Sequence, residues 1–125
     1  MVASPSEYPI HAWLVGPRSL YIEALKAVLD NFQAIDVQGI SHDSAHWLRE
    51  IEPKFKGLLI FAATEEPDIS TIQRFLFTNP SRKVLCFAFS WNPKTISTLN
   101  QMGVLDFMTY DHPGNRLLLD ILQVA

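Results

Sequence analysis

The sequence predicts an α/β protein: one parallel sheet of five strands, wound with helices on both faces. Three observations predict it. Short apolar runs alternate with segments whose apolar residues recur every three or four positions, and the alternation repeats five times. Two runs, Leu58-Leu59-Ile60-Phe61 and Val84-Leu85-Cys86-Phe87, are apolar without alternation, as in strands covered on both faces. The 125 residues, 48% hydrophobic and 18% charged, suit a single core and exclude a disordered chain.

Residues 1–9, rich in Pro and Ser, read as a flexible tail, and residues 10–125 as one domain. The first strand is Ile10 to Val15, punctuated by Gly16-Pro17; proline can open a helix because its missing N–H is an orphan there anyway. The first helix is expected over 18–32, with Leu20, Ala24, Leu25, Val28 and Leu29 inward. The second strand is Ala34 to Ile40, where Ile35 and Val37 alternate with Asp36 and Gln38. A second helix starts at Ser41 or His42 and turns Ala45, Leu48 and Ile51 inward, with Trp47 at the core edge and Pro53 ending it.

The third strand is Gly57 to Ala63, followed by the loop Thr64-Glu65-Glu66-Pro67. The third helix, Asp68 to Phe77, turns Ile69, Ile72, Phe75 and Leu76 inward, and Asn79-Pro80-Ser81 is a turn. Lys83 to Phe89 is the fourth strand. Asn92 caps the fourth helix, Pro93 takes its first position, Ile96, Leu99 and Met102 lie inward, and Gly103 stops it. Val104 to Thr109 is the fifth strand. His112-Pro113 opens the last helix, with Leu117, Leu118, Ile121 and Leu122 at helical spacing. The right-handed crossover rule then restricts the topology, and the flavodoxin-like strand order 2-1-3-4-5 is the expectation.

Composition excludes several functions. The net charge is -3 and no basic cluster exceeds Arg82-Lys83, so the footprint of a nucleic-acid binder is missing. Cys86 is the only cysteine and lies in an apolar run, which reads as a buried structural thiol. No apolar run approaches ~20 residues and Met1 to Pro9 has no basic n-region, so a cytoplasmic protein with no membrane contact is expected. No Gly-rich phosphate loop follows the first strand, and no Ser/His/Asp or Cys/His set has supporting context, so no enzyme is expected. His42 and His46 stand four apart with Asp43 between them, but they lack a third ligand; no metal or cofactor is expected. Glu65, Glu66 and Asp68 read as a solvated acidic loop.

The spacing of the chain resembles response-regulator (CheY-like) receiver domains over residues 10–123, nearest to those of LuxR/NarL-type DNA-binding regulators. Trp13-Leu14-Val15-Gly16-Pro17-Arg18-Ser19-Leu20 keeps the layout of their first unit with its two acids replaced. Ala88 stands fifteen positions before Gly103 and Tyr110 seven after it, where the family places a Ser/Thr and a lysine. Asp111-His112-Pro113 resembles the start of the family's last helix. The positions that the resemblance assigns to phosphoryl chemistry are therefore Gly16, Pro17, Ala62, Ala88 and Tyr110, and none carries the group the chemistry needs.

The resemblance implies a phosphorylation-independent pseudo-receiver: a regulatory module that binds a protein partner or dimerises, from a transcriptional regulator whose DNA contacts belong to a domain after Ala125. Its signalling face would hold Trp91, Lys94, Phe107, Asn115 and Arg116. The alternative is a small-molecule sensor. Arg18, Tyr110, Asp111 and His112 should gather at the carboxyl edge of the sheet, near Ala62 and Ala88, where such folds bind ligands.

Overall fold

A computed structural model describes residues 9–63, 69–79, 82–88, 91–104 and 106–109, the last group including only the backbone of 106 and 107. The strands are β1 (Ile10–Val15), β2 (Ile35–Ser41), β3 (Leu58–Ala62), β4 (Val84–Ala88) and β5 (Asp106–Thr109). Between them run α1 (Leu20–Asp30), α2 (Ser44–Glu50), α3 (Ile69–Thr78) and α4 (Pro93–Met102). All pairings are parallel and the order is β2-β1-β3-β4-β5, the flavodoxin-like arrangement the sequence predicts. The tail through residue 8, the acidic loop with Glu65, Glu66 and Asp68, and the predicted last helix lie outside the described residues.

The continuous apolar strands are explained by two cores. Leu58, Ile60 and Ala62 of β3, with Leu85 and Phe87 of β4, face Ile22, Leu25 and Leu29 of α1. Their neighbours Leu59, Phe61, Val84 and Cys86 face the other way, toward Trp47, Phe75 and Leu99 of α2, α3 and α4. Every residue of β3 and β4 is buried.

Local punctuation works as expected around α4. The Asn92 side chain accepts the Lys94 N–H at 2.9 Å, Pro93 occupies the first turn, and Gly103 ends the helix at φ 98°. Five expectations need correction. Helix α1 starts later than 18, because Ser19 Oγ accepts the Ile22 N–H and sets the cap. The helix turns Ile22, Leu25 and Leu29 inward and leaves Leu20 84% and Val28 38% exposed. Ser41 belongs to β2 and Asp43 caps α2, which ends at Glu50, before Pro53. On this seven-residue helix Trp47 is no edge residue: it is wholly buried, stacked on Phe75 at 5.1 Å and set edge-on to Phe55. Strand β5 starts at Asp106 rather than Val104; the other element ends fall within one or two residues of expectation.

Trp13 shapes the β2 edge. The pairing register shifts between Ala12 and Trp13, so that Trp13 lies opposite Gly39. A Cβ on Gly39 would lie 2.5 Å from the Trp13 ring. The glycine therefore lets the indole lie across β2, where Nε1 donates to Ser41 Oγ at 2.9 Å.

Candidate functional site

Parallel pairing brings the carboxyl ends of the strands to one edge. Val15 is level with Ser41 and Phe61, Ala62 with Phe87, and Ala88 with Thr109. Four of the five positions assigned to phosphoryl chemistry are thereby placed; Tyr110 lies outside the described residues. Ala62 and Ala88 are buried and Pro17 is exposed. Gly16 is held by its N–H on Ser41 O at 3.1 Å, and a Cβ built on it would run into the carbonyl oxygen of Ala62. The first and third strand ends are thus in backbone contact, with no room for a side chain between them.

His42 closes this edge on the β2 side. Its Nδ1 lies 2.8 Å from Gly16 O; a carbonyl only accepts, so Nδ1 carries the proton and donates. Nε2 is left as the acceptor of the neutral ring. Between the edge and the first turns of α2 and α3 lies a cleft of about 210 Å³, lined by Gly16, His42, Ser44, Ala62, Thr71 and Ile72 among others. Ser44 and Thr71 could not be assigned to it from sequence, because two separate helix starts must converge to form it.

Of the ligand edge read from sequence, only Arg18 lies among the described residues. Arg18 is exposed and lines a neighbouring groove with Trp13, Asp43 and His46, and this groove shares His42 with the cleft. Tyr110, Asp111 and His112 lie outside the described residues. No group of three or more His, Cys, Asp or Glu that could hold a metal occurs among the described residues.

On the predicted signalling face, Trp91 is half-buried and its Nε1 donates to Met108 O of β5 at 3.1 Å, so it ties α4's approach to the sheet. Lys94 is exposed on α4. The Phe107 side chain, Asn115 and Arg116 lie outside the described residues.

Cys86 is fully buried in β4, and burial pushes its thiol up to about 12. Only the thiolate is nucleophilic, so alkylation of the folded protein by iodoacetamide at pH 8 should proceed no faster than global unfolding. Rapid labelling in the folded state would contradict the placement.

Among the described residues no helix is long and apolar enough to cross a membrane. No protein-family model matches the chain, and no curated protein sequence does so significantly. Solved structures do match. The matches share this chain's fold and are receiver domains or response regulators that contain one. The signal receiver domain of the response regulator NarL from Mycobacterium tuberculosis superposes with a TM-score of 0.77 at 16% identity, over 93% of this chain and 95% of that one. A LuxR-family two-component response regulator from Aurantimonas sp. SI85-9A1 gives 0.78 at 12% identity, over 92% of this chain and 84% of that one. A Salmonella typhimurium RcsB response regulator gives 0.76 at 17% identity over 93% of this chain, which spans 59% of that chain. This protein has the receiver fold.

Proposed function

We propose that this domain is a phosphorylation-independent pseudo-receiver, a regulatory module that works by protein contact. One observation carries the reading: the backbone of Gly16 sits against the Ala62 carbonyl, in the space an acidic side chain would need. The chemistry points the same way. Acyl-phosphate formation needs a carboxylate nucleophile, and Ala62 has none. A hard cation such as Mg²⁺ needs side-chain or free backbone oxygens, and Gly16 and Pro17 offer no side-chain oxygen. A neutral tyrosine at 110 cannot supply the cation that stabilises a transferring phosphoryl group. Incubation with acetyl phosphate, or with beryllofluoride and Mg²⁺, should leave the chain unmodified and the amide resonances of Gly16, Ala62 and Ala88 unmoved. A stoichiometric acyl phosphate would overturn the reading.

Such a domain regulates by holding partners in one geometry, and a symmetric homodimer is the commonest arrangement. The face built on α4 and β5, with Trp91 and Lys94, is the first candidate. A second is favoured by a specific feature: Leu20, Tyr21, Ala24 and Val28 form an exposed apolar strip along α1. Sedimentation over a concentration series should show a dimer. Because Trp91 also ties down β5, the cleaner probes are Lys94→Glu and Val28→Glu, both at exposed positions. Loss of the dimer in Lys94→Glu supports the first face, and loss in Val28→Glu moves the contact to α1. A monomer at high micromolar concentration refutes self-association. The likeness to regulators of DNA-binding families supports a place in a transcriptional regulator, and reading the gene past Ala125 tests it: a helix-turn-helix there is the expected result.

A further inference from the structure

We infer that the cleft between the first turns of α2 and α3 is a binding site for a small neutral aromatic molecule bearing one hydrogen-bond donor, of the phenol or indole type. The inference goes beyond the interaction reading and does not depend on it, since it needs only the cleft and the polar group on its wall.

Size comes first. A dry, apolar cavity of about 150 Å³ is enough to take up benzene. The cleft here has about 210 Å³, room for one ring or two fused rings and too little for a nucleotide. The space exists because the residues at its corners are small: Gly16, Ser44, Ala62 and Ala63.

The walls decide the chemical class. Val15, Phe61, Ala62, Ala63 and Ile72 supply an apolar lining, and among the described residues no Asp, Glu, Lys or Arg lines the cleft. An anion or a metal ion entering it would lose hydration without meeting an opposite charge. An aromatic ring gains from the same surface. Binding sites of this kind combine mostly apolar walls with a few placed polar groups. Here the polar side chains are those of His42, Ser44 and Thr71, and His42 is the one with a fixed ring. Its Nδ1–H is already held by Gly16 O, which fixes both the tautomer and the ring. His42 lines the cleft, and Nε2 of the neutral ring is the acceptor we assign to a phenol O–H or an indole N–H.

The test is a titration of the ¹⁵N-labelled chain with phenol, indole, 1-methylindole and inorganic phosphate, followed by amide shifts. Indole and phenol should shift the amides of Gly16, Ala62, Ala63 and Ile72 saturably. 1-Methylindole keeps the ring but lacks the donor and should bind at least five-fold more weakly. Phosphate should leave these amides in place. Ala63→Leu, which puts carbon into the cleft, should weaken indole at least ten-fold. If that variant does not fold, the pattern of shifts in the parent still locates the site. No saturable shift with indole or phenol up to several millimolar overturns the inference, as does a shift pattern away from the cleft. Equal affinity for indole and 1-methylindole overturns the role of His42, and saturable phosphate shifts would make this an anion site instead.

Discussion

Replacing Arg82 with methionine should lower the unfolding free energy by about 3–5 kcal/mol, the loss seen when one partner of a buried ion pair is removed. Arg82 and Glu52 are 4% and 9% exposed, with Nη2 and Oε2 2.8 Å apart. The same guanidinium donates to Phe55 O at 2.9 Å and Gly57 O at 3.0 Å, and lies over the Trp47 and Phe55 rings. Asn79 Nδ2 donates to the other Glu52 oxygen at 3.1 Å. One side chain thus satisfies the turn after α2, the start of β3 and a buried carboxylate. Without it, Glu52 is left charged and half-paired, and two carbonyls lose their donor. Urea denaturation measures the effect. The paired change Arg82→Met with Glu52→Leu should recover a large part of the loss, because it removes the stranded charge. An Arg82→Met chain within 1 kcal/mol of the parent would show that the pair contributes little.

Restoring the two acids, Gly16→Asp with Ala62→Asp, should destabilise the fold and still give no phosphoryl acceptor. Ala62 is 1% exposed, so a carboxyl there is buried without a partner, at about 1–3 kcal/mol. At position 16 the new side chain meets a backbone carbonyl, which cannot rotate away as a side chain can. Over-packing of that kind costs about 1–3 kcal/mol more. The two sites touch, so the costs need not add. Adding Mg²⁺ should recover none of the loss. A double variant as stable as the parent, and able to bind beryllofluoride, would show that the strand ends part easily and that the site is only chemically silent.

What could be read from the sequence is what local chemistry dictates. Asn92, Pro93 and Gly103 announce α4 because a cap, a helix-opening proline and a left-handed stop each act within a few residues. The apolar runs of β3 and β4 announce a covered sheet because burial on both faces leaves no polar position. What could not be read depends on distant residues. Glu52 and Arg82 stand 30 residues apart, and nothing near either announces the other. Trp47 lies on a helix of seven residues, too short for periodicity to say which side faces inward. On α1 two apolar stripes compete, and the one with Ile22, Leu25 and Leu29 is buried while Leu20 and Val28 stay exposed. At the candidate site the missing acids were visible as Gly16 and Ala62, but the contact between their backbones and the cleft beside it arise only when the strands align.

The Trp13–Gly39 register shift bears on how copies of this chain can meet. Strand β2 is the outermost on its side of the sheet and pairs only with β1. An open edge of this kind is a template on which another chain can lay a strand, the route to sheet extension and aggregation. Here that edge carries an irregularity in its pairing, a glycine at its middle, and exposed Asp36 and Gln38. Bulges and edge charges both discourage strand addition. With that route discouraged at β2, the surfaces left for a second copy are the helical faces and the opposite side of the sheet, where β5 lies.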